Sequence, residues 1–167
     1  MRFHYWLFKA LRNMFRKKVK PKYKKMNYNE LMTLIRKFFG EETKFVLLDY
    51  SYRYTDISSW VKIIKLDELN EYLQYKVDVL DCDNFATVFL AHVNEFFDMN
   101  AVAVCLGRVY DDQNNFLGYH AYNCLICDYF GDDVLLIYEP QSDWLTFASR
   151  RAKVGNYYYE TDLVVFL

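Results

Sequence analysis

Leu80-Asp81-Cys82-Asp83-Asn84-Phe85-Ala86 sets a cysteine between two aspartates at the start of a helical pattern. Apolar residues follow at Phe85, Val88, Phe89, Phe96 and Phe97, the spacing of one helix face. Asp81 suits the N-cap, because its carboxylate can accept from free first-turn N–H groups. Cys82 then falls in the first turn, where those groups and the helix dipole favour a thiolate. The two flanking carboxylates oppose a further negative charge. An active Cys82 therefore requires a cation or an imidazole close by; without one it is an ordinary, part-buried thiol.

Three histidines are available. His4 lies in a basic N-terminal stretch, and His92 follows Phe89 by three residues on the apolar side of the cysteine helix, as a core histidine would. His120 opens a strand predicted over 119–129, next to a polar turn at Asp111-Asp112-Gln113-Asn114-Asn115, where function tends to gather. A further strand over 134–139 ends at Glu139, because Pro140 cannot continue a central ladder. A four-residue turn at 130–133 would set His120 against position 143 and Glu139 against position 124. Contact between the two then needs a bulge or a different turn.

Before the cysteine helix, Asn29 can cap a helix over 30–39 with Leu31, Leu34, Ile35 and Phe38 inward and Gly40 at its end. Residues 45–54 read as extended, with Tyr50, Tyr52 and Tyr54 alternating. Residues 60–64 and 66–75 read as short helical pieces. The last third is β: strands over 101–110, 119–129, 134–139 and 162–167 form an antiparallel meander. Helices first and a meander after is an α+β pattern.

The Asp81–Ala86 motif, then His120-Ala121, then Glu139-Pro140-Gln141 resembles the transglutaminase-like, papain-like cysteine peptidase superfamily. It is similar to the bacterial transglutaminase-like cysteine peptidases and to the protease-like domain of a fungal agglutinin, over roughly residues 50–141. The resemblance implies a papain-like fold with the nucleophile helix packed on an antiparallel sheet. It implies a cysteine hydrolase or acyltransferase acting on a peptide or amide: Cys82 the nucleophile, His120 the base, Glu139 the orienting carboxylate. Trp60, Gln74, Gln141 and Asp83 are the auxiliary candidates, with the Cys82 N–H as oxyanion donor. No cofactor is implied outright. Some similar domains hold a calcium-type cation, for which Asp81, Asp83, Glu139 and Gln141 offer oxygen ligands; capping and solvation account for them equally well. The other class of function is a papain-like binding or structural module without chemistry.

The net charge of −1 conceals a split. Residues 1–29 hold ten Lys/Arg and no acid, leaving −11 on the rest. A basic arm (1–26) thus precedes a body (27–167). Phe3, Trp6, Leu7, Leu11, Met14 and Phe15 form an apolar stripe at helical spacing. Three readings stay open: a helix docked on the body, a helix on an anionic membrane surface through residues 1–25, or a nucleic-acid arm. The stripe favours lipid over nucleic acid.

The body is ring-rich, with 16 tyrosines and 14 phenylalanines in 167 residues, and long enough for one core. No apolar run reaches the ~18 residues of a membrane span, and no cleaved export signal is expected. Four scattered cysteines do not make a disulfide framework. Cys124 and Cys127 sit on one strand facing opposite ways, with no second half to a zinc site. A reducing, intracellular setting, peripheral to a membrane if the arm binds lipid, is expected.

Overall fold

The structure, a computed structural model, describes residues 2–167, with side chains throughout except those of residues 2–9 and Arg12. In order, the elements are α1 (Arg2–Val19), β1 (Lys24–Asn27), α2 (Tyr28–Phe39), β2 (Lys44–Leu47), β3 (Ser51–Asp56), α3 (Ile57–Asp67) and α4 (Leu69–Tyr72). After these come α5 (Cys82–Phe97), β4 (Val102–Tyr110), β5 (Phe116–Tyr129), β6 (Asp132–Glu139), β7 (Trp144–Phe147), β8 (Ala152–Val154) and β9 (Tyr157–Phe166). No helix among the described residues is long and apolar enough to cross a membrane.

The expected helix on an antiparallel sheet is corrected. Nine strands, among the described residues, join one mixed sheet that curls into a half-barrel. Its main path runs β1-β3-β5-β4-β9-β2. β2 pairs in parallel with β9, and β3 in parallel with β5. The second pairing covers only Thr55↔Cys127 and Asp56↔Asp128, and so short a parallel contact leaves no pattern in sequence. It begins where β4 ends: β4 flanks β5 as far as Val102↔Leu125, and β3 then takes over that edge. β5, at 14 residues, is thus the strand on which the sheet turns. α5 is one helix set against it, with Phe89 on the Tyr138 ring at 4.5 Å and Asn123 Nδ2 donating to Ala86 O at 2.9 Å.

Local signals explain the element ends. α2 is capped two residues earlier than expected, by Asn27: its Oδ1 accepts from the Asn29 and Glu30 N–H groups while Glu30 accepts from the Asn27 N–H. Gly40, at φ 96°, ends it. Asp98, left-handed at φ 52°, ends α5.

The described part of α1 is docked, not free. Phe15 packs on Phe96 with ring centroids 5.2 Å apart, and Val19 is fully buried. Arg16 pairs with Asp98 and donates from Nε to Phe96 O at 2.9 Å. Lys24 pairs with Asp128 at 3.0 Å. The apolar face at Phe15 and Val19 is therefore used against the body, and arm charges meet body acids. The side chains of the stripe residues Phe3, Trp6 and Leu7, and of His4, lie outside what the structure describes.

Candidate functional site

The hairpin between β5 and β6 brings two of the three expected residues together. Its turn is two residues, Phe130-Gly131, both at positive φ, which fits the twist of the flanking strands. Register is therefore Asn123↔Tyr138, two residues tighter than a four-residue turn gives. Glu139 falls one step beyond, beside Tyr122, and so diagonal to His120 on the same face, within reach of a long side chain. His120 Nε2 meets Glu139 Oε2 at 2.6 Å.

Glu139 is buried and fully occupied. Tyr159 Oη donates to its Oε2 at 2.9 Å, and the Gln141 N–H donates to Oε1 at 3.1 Å. His120 is held between rings, stacked on Tyr122 and edge-on to Tyr159 at 5.4 Å. With Nε2 spent on Glu139, its other nitrogen is left for Cys82, the first residue of α5, whose thiol the ring draws below its ordinary value. The three residues thus form one relay, sulfur to imidazole to carboxylate.

The charges follow from these contacts. The His120 hydrogen bond pulls the Cys82 thiol below its ordinary value, helped by the Ala121 backbone and opposed by burial and Asp81. Burial alone would push His120 down, but its bonds to Cys82 and Glu139 overcome this and raise it to about 9. Both shifts favour the thiolate–imidazolium pair over the neutral pair. Cys127, by contrast, is pushed up by burial to about 12, and buried Cys105 also lies well above the ordinary thiol value. All four cysteines are free.

The auxiliary candidates scatter. Trp60 is fully buried, and its Nε1 donates to Ile126 O at 2.9 Å, so that N–H is already spent. Gln74 is exposed on the loop before α5. Gln141 joins the site through its main chain. Asp83 is exposed and raises Asp81 through a shared hydrogen bond. Asp81, Cys82 and Asp83 place one ligand atom each within 4.8 Å, whereas Glu139 is turned to the histidine. The four oxygens expected around a cation are thus split between two places.

Sequence reasoning missed Tyr159, Tyr122, Asn123 and Gly107. Asn123 alone carried a signal, as an amide inside the apolar run 121–127; buried, it ties β5 to α5 and to Ala103 O at 3.1 Å. Gly107 faces His120 across the ladder. A Cβ there would lie 2.2 Å from Glu160 O and 2.8 Å from Tyr122 Oη, so only glycine lets β9 approach. Beside the relay opens a cleft of about 570 Å³. His120, Glu139 and Gln141 form part of its wall with Tyr119, Trp144 and Tyr157, and Cys82 stands outside that wall.

No family model and no curated protein matches the chain. Several solved chains share its fold, among them these two. One, described as a PSL1a–E64 complex, has a TM-score of 0.63 at 18% identity, covering 85% of this chain and 50% of its own. The other is Polyporus squamosus lectin bound to the human-type influenza-binding epitope Neu5Acα2-6Galβ1-4GlcNAc, with a TM-score of 0.60 at 20% identity over 85% and 49%. The chain spans about half the length of each. These likenesses overturn the expected membership of the transglutaminase-like, papain-like peptidase superfamily, since the similar structures are lectin chains. The hydrolase or acyltransferase activity, thiol-protease character and peptide or amide substrate fall with it, as do the membrane and nucleic-acid partners. The physical reason is general: a cysteine, a histidine and a carboxylate in that order recur on unrelated folds and do not identify a family.

Proposed function

We propose that this chain is a binding module built around an activated cysteine, in which Cys82 can hold an electrophilic ligand by a bond to sulfur. The supporting observation is the relay itself: His120 held at 2.6 Å by Glu139, and Cys82, at the start of α5, drawn below the ordinary thiol value by that same ring. Cys82 is the nucleophile, His120 the base and then the proton donor, and Glu139 with Tyr159 the support that fixes the ring. With an epoxide, the thiolate sulfur bonds to a ring carbon, the carbon–oxygen bond breaks, and the alkoxide takes the imidazolium proton. The adduct alone is proposed, not turnover. E64, an epoxide with which one similar structure was solved, is the natural probe. Intact mass should show one adduct on the wild-type chain at neutral pH and none on Cys82→Ser. An adduct that survives Cys82→Ser would overturn the assignment.

The cleft favours a second, compatible reading. Tyr119, Trp144 and Tyr157 stand 78%, 48% and 47% exposed around a polar floor of Glu139, Gln141 and Asn156. Flat rings that stack on sugar C–H faces, beside amides that take hydroxyls, suit a glycan. The sialylated trisaccharide bound by the similar lectin is the first ligand to try. Saturation-transfer NMR should detect it on the wild-type chain and lose it in Trp144→Ala; no transfer to the wild type would remove this reading.

A further inference from the structure

A second recess, away from the relay, lies between α1, α3, α4 and α5. Its volume is about 280 Å³, and Phe15, Ile63, Leu66, Phe96 and Phe97 make most of its wall. That is close to the lower end of small-molecule pockets, which start at ~300 Å³. One charged group stands in this apolar wall: Asp67, whose side chain is only 8% exposed. His92 Nδ1 meets its Oδ1 at 2.6 Å. Its Oδ2 is buried and has no hydrogen-bond partner among the described residues.

A buried carboxylate oxygen without a donor costs the fold several times what a satisfied one does. The site sharpens that cost. Asp67 is the last residue of α3, where the unpaired carbonyls carry the negative end of the helix dipole. Both features call for positive charge, and the one residue bonded to Asp67 already sits on the other oxygen. The apolar wall calls for a compact hydrophobic body. Tyr72, more than half exposed, marks the mouth.

We propose that this recess binds a primary ammonium carried on a single aromatic ring or a short branched alkyl group, the ammonium donating to Asp67 Oδ2. The probes are 2-phenylethylamine and its anionic counterpart 3-phenylpropanoate, titrated separately into the full chain. Protein NMR supplies affinity and location together. The amine should shift signals of Ile63, His92, Phe96 and Phe97 in a saturable way and bind at least tenfold more tightly than the acid. Asp67→Asn should weaken the amine at least tenfold. Leu66→Trp, which fills the recess and leaves the Asp67–His92 pair in place, should abolish the shifts while the remaining spectrum stays folded; it carries the test if Asp67→Asn does not fold. Equal binding of amine and acid, absence of saturable shifts at the recess, or binding that survives Leu66→Trp would each overturn the proposal.

Discussion

His120 and His92 each hold a carboxylate oxygen at 2.6 Å, Glu139 for the first and Asp67 for the second. What differs is the rest of the ring. His120 turns its other nitrogen to a thiol at a helix start, and two tyrosine rings brace it. Its carboxylate is fully bonded, with Tyr159 and the Gln141 N–H on it. His92 turns toward the Phe96 ring at 5.5 Å, and its carboxylate keeps one bare oxygen. A histidine–carboxylate pair is therefore not a chemical site by itself. The third group, and the completeness of the carboxylate's partners, make the difference.

Removing each histidine should separate the two pairs most strongly. His120→Ala should slow iodoacetamide alkylation of Cys82 by ~10²-fold or more, the loss expected with an activating base. His92→Ala should leave that rate within about twofold and cost ~1–3 kcal/mol of stability, because Asp67 is left buried and alone. Rate measurements on both variants, with denaturant titrations, decide it; a slow Cys82 in His92→Ala would erase the distinction.

The packing behind His120 gives the next effect. Gly107→Ala should destabilise by ~2 kcal/mol or more, since its Cβ meets main chain of β9 at 2.2 Å. Tyr159→Phe is milder. It removes one donor from Glu139 and should cost ~1 kcal/mol, read as a lower urea midpoint, with alkylation slowed only a few-fold.

The pH dependence of stability gives a separate check. The folded chain raises His120 from 6.5 to about 9, so the fold favours the protonated ring. The stability this contributes is complete below pH about 6.5 and is lost as pH rises through about 9. The melting-temperature gap between wild type and His120→Ala should accordingly narrow between those values. A constant gap would mean that the ring is not held as imidazolium.

Much of this site was legible along the chain, and some was not. The start of α5 at Cys82 follows from Asp81 and the period of the phenylalanines. The β5–β6 hairpin follows from Gly131 and the apolar runs. Its register does not, because whether the turn takes two residues or four depends on Phe130 accepting a positive φ. That one choice decides whether Glu139 reaches His120. Tyr159 was illegible because it meets the site from β9, far along the chain, and β7 and β8 were too short to show a period. Trp60 read as a possible donor only because its bond to Ile126 O is a tertiary fact. The three-residue order Cys82, His120, Glu139 was plain, yet order without fold pointed to the wrong family.

The most direct measurement is the rate of Cys82 alkylation by iodoacetamide from pH 4 to 10, with each cysteine followed by peptide mass spectrometry. The relay predicts that Cys82 reacts first and keeps reacting at pH values below those at which an ordinary thiol at ~8.5 stops. Cys105 and Cys127, buried and raised, should stay unlabelled in the folded chain. A Cys82 rate that rises only as pH passes ~8.5, or labelling of Cys105 or Cys127 alongside it, would contradict a thiolate held by His120.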